Sequence, residues 1–126
     1  MAGYISRALV CVSLAIVPFR ALFAHDIYTG LHDKAGQLCC GGNDCAVTSY
    51  REIGDRFEFL TRERRWVAIP EDRITFLPVP GDKESTDSHR AHLCYRPATD
   101  SDKASNSSNI FEDIWLYCVF IPPGPI

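Results

Sequence analysis

The chain lacks four things whose absence narrows its function. It has no apolar run of the roughly 20 residues that a membrane-spanning helix needs; residues 8–17 are the longest such stretch near the N-terminus. It has no sustained helical periodicity after residue 24, which argues against a helical bundle. It has no basic cluster beyond Arg62-Glu63-Arg64-Arg65. Phosphate backbones are held by grouped Lys and Arg, so nucleic acid is not an expected partner, and the short knot reads as a solvated hairpin tip. Finally, Gly-x-Ser-x-Gly, a Gly-rich phosphate loop and His-Glu-x-x-His are all missing, which removes the commonest signatures of hydrolytic, nucleotide and zinc-protease chemistry.

The N-terminus carries an export signal. Arg7 precedes the apolar residues 8–17, Pro18 and Arg20 interrupt them, and Ala21-Leu22-Phe23-Ala24 offers a small residue at the cut. Residues 1–24 are therefore expected to be removed, leaving 25–126 as a single small domain that is periplasmic or secreted, with no stable membrane anchor. Cys11 follows Val10 rather than the small residue of a lipoprotein signal. The signal holds two of the thirteen basic residues and none of the sixteen acidic ones, so the mature chain has eleven against sixteen.

Export places the cysteines in an oxidising space, where disulfides persist. Six become five once Cys11 is lost, so at most two internal bridges can form and one sulfur remains. Three of the five sit in Cys39-Cys40-Gly41-Gly42-Asn43-Asp44-Cys45, whose Gly and Asn-Asp residues favour a sharp turn. Adjacent Cys39 and Cys40 are poorly spaced for bonding to each other, since neighbouring Cα atoms lie about 3.8 Å apart. The expected scheme joins two of the turn cysteines to Cys94 and Cys118.

The rest reads as mainly β: a small antiparallel sheet with long loops, stapled by disulfides. Arg56-Phe57-Glu58-Phe59-Leu60 alternates with period two, and Arg65-Trp66-Val67-Ala68-Ile69 returns until Pro70. In His92-Leu93-Cys94-Tyr95-Arg96 the alternation sets Leu93 and Tyr95 on one face and His92, Cys94 and Arg96 on the other. Ile114-Trp115-Leu116-Tyr117-Cys118-Val119-Phe120-Ile121 is apolar on both faces, as in a strand covered on two sides. Residues 97–109, rich in Ala, Asp, Ser and Asn, read as a mobile loop.

His25-Asp26 with Tyr28-Thr29-Gly30, Cys39-Cys40-x-Gly42-x-Asp44-Cys45, Trp66-x-x-Ile69-Pro70, His92-x-Cys94 and Cys118-x-Phe120-x-Pro122-Pro123-Gly124 together resemble an uncharacterised family of small exported bacterial proteins. That resemblance spans the mature chain. It implies export and a cysteine-held fold, and it implies no activity.

Two metal arrangements compete with a purely structural role. If cleavage follows Ala24, His25 becomes the first residue, and its α-amino and imidazole nitrogens can chelate Cu(II) with a further imidazole from His32 or His92. Zinc on Cys39, Cys40, Cys45, His89, His92 and Cys94 is the second, although these spacings fall outside standard zinc patterns. The leading expectation is a non-enzymatic binding or interaction module whose partner is another extracytoplasmic protein. The alternative is a copper-binding protein, with copper as its one candidate cofactor. No catalytic residue is assigned.

Overall fold

A computed structural model of the chain describes residues 27–39, 44–82 and 90–123. The signal, His25, Cys40 and His89 lie outside the described residues. Seven strands form one curled sheet: β1 (Cys45–Ile53), β2 (Arg56–Leu60), β3 (Trp66–Ile69), β4 (Ile74–Thr75), β5 (Arg90–Pro97), β6 (Ile110–Phe111) and β7 (Ile114–Phe120). Their spatial order is β3-β2-β1-β5-β7-β4, with β6 also pairing β7. The protein is mainly β and disulfide-stapled, as its sequence implies.

One pairing departs from the antiparallel expectation: β4 runs parallel to β7. Pro70 cannot donate to a ladder and ends β3; a 3-10 turn, Glu71–Arg73, then carries the chain to the opposite edge of the curl. It arrives beside β7 travelling in the same direction. The sheet is consequently mixed.

β1 is the hinge of the architecture. Its residues 45–49 pair with β5 and its residues 50–53 with β2, so one strand belongs to two ladders and lets the sheet curl. The β1–β2 connection is the two-residue loop Gly54-Asp55, in which Gly54 takes φ 64°. Glycine at the first central position suits the II′ turn, whose twist matches that of the flanking strands.

Curling divides the interior into two clusters. Phe59, Val67, Ile69, Ile74, Ala91, Leu93, Tyr95, Ile114, Leu116 and Val119 fill the inside of the curl. On the other side of β5 and β7, Tyr28 and Cys39 from the 27–39 segment pack with Cys45, Val79, Cys94, Cys118 and Phe120. Each fully buried aliphatic or aromatic side chain contributes about 1.5–3 kcal/mol. A β-bulge sorts β7 between the clusters. Cys94 opposes Cys118, yet Tyr95 opposes Leu116, so Tyr117 is the extra residue. Strict alternation would put Leu116 and Cys118 on one face; the bulge reverses the phase and turns Cys118 toward the second cluster.

Residues 97–109, whose composition suggested a mobile loop, include a short helix. It is α1 (Asp100–Ala104), which begins at a capping box: Thr99 accepts from the Asp102 backbone N–H, and the Asp102 carboxylate accepts from the Thr99 N–H. Arg96 donates twice to the same carboxylate, at 2.6 and 3.1 Å. Hydrogen bonds from Arg96, then from the Thr99 backbone, hold the Asp102 carboxyl well below the ordinary carboxylate range. Because the folded value is depressed, the stabilisation is complete above the unfolded value near pH 4 and is lost only as pH falls through the folded value. NMR signals of α1 are therefore expected to persist at pH 4 in the native chain, whereas Asp102→Asn should fray the turn already at neutral pH. Equal order in both proteins would remove the carboxylate from this role.

Candidate functional site

The cysteine-bearing face of β1, β5 and β7 gathers most of the residues singled out from sequence. Cys45 and Cys94 are opposed in the β1–β5 ladder and joined by a disulfide, with Cα atoms 4.0 Å apart. Cys94 also opposes Cys118 in the β5–β7 ladder. Cys118 bonds instead to Cys39 from the overlying segment, with Cα atoms 5.3 Å apart. Two of the turn cysteines thus reach the two late strands. Their sulfurs are not thiolates, so the zinc arrangement that used Cys39, Cys45 and Cys94 does not form. Among the described residues no group of three or more His, Cys, Asp and Glu side chains is placed to hold a metal ion.

His92 lies on the same face, fully buried. Its Nε2 donates to Asp82 Oδ2 at 2.8 Å, and its Nδ1 lies 2.8 Å from Tyr28 Oη. The Tyr28 ring meets the imidazole edge-on, with centroids 5.5 Å apart. Strand alternation placed His92 beside Cys94; its partners, ten and sixty-four residues away, follow only from the fold. With both ring nitrogens engaged, the imidazole fastens the 27–39 segment and the 79–82 loop to β5. A copper ligand at this position would have to give up one of those bonds.

His32 is different. It is exposed, and its Nδ1 donates to the Gly30 carbonyl at 2.9 Å. With Nδ1 donating to that carbonyl, the lone pair lies on Nε2, the form in which a histidine ligates metal. His32 sits in a tight loop held by its bridge to Leu38 and by the Asp33 carboxylate, which accepts from the Ala35 and Gln37 N–H groups at 2.9 Å each.

Trp66, Tyr95 and Trp115 do not make an open face. Tyr95 is buried. The guanidinium of Arg51 lies 4.1 Å over the Trp66 ring and that of Arg96 lies 4.9 Å over Trp115. These cations cover the indoles that a sugar or peptide would otherwise stack on. Arg51 is fixed in turn by Glu58 at 2.8 Å.

Fold and site together define a small mixed β domain whose second core is built around two cross-links and a buried Tyr–His–Asp chain. Such cross-links belong in an oxidising compartment outside the cytoplasm, and no helix among the described residues is long and apolar enough to cross a membrane. No family model, curated protein or solved structure matches the chain.

Proposed function

We propose that the chain is a periplasmic or secreted interaction module, a rigid scaffold that presents loops to another extracytoplasmic protein. The observation that carries this reading is the way the chemistry-bearing residues are consumed in holding the scaffold. The described cysteines are cross-linked, His92 fastens two loops to β5, and Asp102, Glu58 and Asp113 each bind arginines. The resemblance to small exported bacterial proteins supports the same compartment. In-cell cross-linking of the exported chain, followed by purification under denaturing conditions, is expected to recover one defined adduct. Recovery of the unmodified chain alone, at every cross-linker length, would remove the reading.

A second reading keeps copper, and the exposure of His32, with its Nδ1 engaged by the Gly30 carbonyl, is the observation favouring it. The ligands are then the α-amino and imidazole nitrogens of His25, exposed by cleavage after Ala24, with His32 as the third. Mass spectrometry of the exported form should begin at His25. Cu(II) titration followed by EPR should give a nitrogen-rich tetragonal signal that His32→Ala weakens about tenfold or more in affinity, in line with the loss of one ligand. A different first residue, or an unchanged signal in His32→Ala, would end this reading.

A further inference from the structure

The turn between β2 and β3, which its composition marks as a solvated tip, is anchored to the core. Thr61 donates its N–H to the Arg65 carbonyl and accepts at its own carbonyl from the Arg64 N–H. Its Oγ1 accepts from the Arg65 N–H at 3.2 Å. The buried Tyr95 then reaches up from β5: its hydroxyl accepts from the Arg62 N–H at 2.8 Å and donates to Glu63 Oε2 at 2.9 Å. Burial pushes the Tyr95 hydroxyl up, so it stays a donor. Arg62 lies over the Tyr95 ring, 4.9 Å from its centroid. Arg64 holds φ 64°, a left-handed conformation in which glycine would sit without strain. A strained arginine in a turn tied to the core is a fixed presentation of charge.

Apart from the stacking of Arg62 on Tyr95, that charge is not ion-paired among the described residues, whereas other arginines are ion-paired or hydrogen-bonded. Arg51, Arg56, Arg65 and Arg96 each pair with a carboxylate, and Arg73 donates to Ser108 and Asn109. Arg62 and Arg64 form no salt bridge among the described residues. They stand over a cleft of about 210 Å³ bordered by Val47, Thr48, Leu60 and Tyr95, with Leu93 beneath. The cleft exists because β2 ends at Leu60 while β1 continues to Cys45. Thr48 Oγ1 closes the β1–β2 ladder by donating to the Leu60 carbonyl at 2.5 Å. Beyond that point residues 46–48 have β5 as a ladder partner on one side and, among the described residues, no strand on the other.

We propose that this notch takes an extended acidic segment of a partner protein, which adds as a short strand to residues 46–48 of β1 and sets its carboxylates against Arg62 and Arg64. The proposal rests on the interaction-module reading and names the chemistry of the partner. Successive residues of a strand face opposite ways. A segment alternating acidic and apolar residues therefore sets its carboxylates on the face where Arg62 lies over Tyr95 and its apolar side chains on the opposite face, beside Val47, which the ladder aligns with His92. Main-chain bonds supply affinity and the alternate side chains supply selection, as in other strand-addition complexes. The volume admits single side chains, which favours an extended segment over a folded domain.

The test uses the mature chain and a fluorescein-labelled octapeptide alternating Glu and Val. Binding by fluorescence polarisation is expected, weakening as salt rises. Arg64→Glu should lower affinity about fivefold or more. N-methylation of alternate peptide amides, which leaves the protein untouched, should abolish binding in one of its two registers. NMR shifts should concentrate in residues 46–48 and 61–64. The proposal is overturned if the Glu/Val peptide does not bind at millimolar concentration. It is equally overturned if a Lys/Val peptide binds as well, if Arg64→Glu binds unchanged, or if both N-methylated registers bind fully. An Arg62→Gln/Arg64→Glu chain that still forms the in-cell adduct would sink the notch and leave the module reading standing.

Discussion

Replacing Cys45 and Cys94 together by alanine is expected to destabilise the domain by about 4 kcal/mol, and replacing Cys39 and Cys118 together by a similar amount. The bridges close loops of 49 and 79 residues, and chain-entropy cost rises only with the logarithm of loop length. The two losses should therefore differ by well under about 1 kcal/mol on that model. Against a typical total of about 5–15 kcal/mol for a domain, either loss is severe, and it corresponds to a fall in melting temperature of about 20 °C for a chain of this size. Substituting both partners avoids leaving a buried lone thiol. Thermal melts followed by circular dichroism measure the effect. A loss below about 1 kcal/mol for both pairs would mean that the clusters hold without their cross-links.

His92→Leu is expected to cost about 3 kcal/mol, although leucine nearly preserves the side-chain volume. The imidazole is fully buried, and the Asp82 side chain is only 8% exposed. Leucine would confront that carboxylate with an apolar surface and remove the bond to Tyr28; losing one member of a buried polar pair is far costlier than the pair's net contribution. Tyr28→Phe removes one hydroxyl and keeps the ring against the imidazole, so it should cost about 1 kcal/mol. Urea denaturation separates the two. Hydrogen exchange should show the His92→Leu loss as faster opening of residues 27–39 and 79–82. If His92→Leu costs no more than Tyr28→Phe, the Asp82 contact contributes nothing.

What the sequence disclosed followed from how each stretch meets water. Phe57 and Phe59 face inward from a strand whose other side is polar, so their alternation marks β2. Leu93 and Tyr95 against His92 and Cys94 similarly reveal both faces of β5. β1 carries a weak signal, because Ser49 to Glu52 are polar or half-exposed where the strand leaves β5 for β2. In β7 an unbroken apolar run carries no phase, which hid the bulge at Tyr117. α1 is too short for a hydrophobic period; the Thr99-x-x-Asp102 spacing was its one signal, a variant of the capping box with Asp in place of Glu or Gln. The parallel placement of β4 depends on a chain path that two residues cannot encode.

The site was legible to a similar depth. Cysteine parity and the adjacency of Cys39 and Cys40 pointed to bridges between the turn and the late strands. Tyr28, Asp82 and His92 each look ordinary in isolation, and only folding across sixty-four residues makes them one chain of bonds. Arg62 and Arg64 stood out as a basic knot. That a buried tyrosine hydroxyl fixes the knot over an unfilled strand edge could not be read from composition, since the tether, Tyr95, lies thirty-three residues from Arg62.

The two cross-links are nested: Cys39–Cys118 encloses Cys45–Cys94. Any single peptide-bond cleavage between residues 39 and 118 consequently leaves both pieces tethered through sulfur. A protease that nicked the molecule beside α1 would release no fragment, and the nicked product would migrate as one band until a reductant separated it. That arrangement converts a first cut from destruction into a tolerated scar.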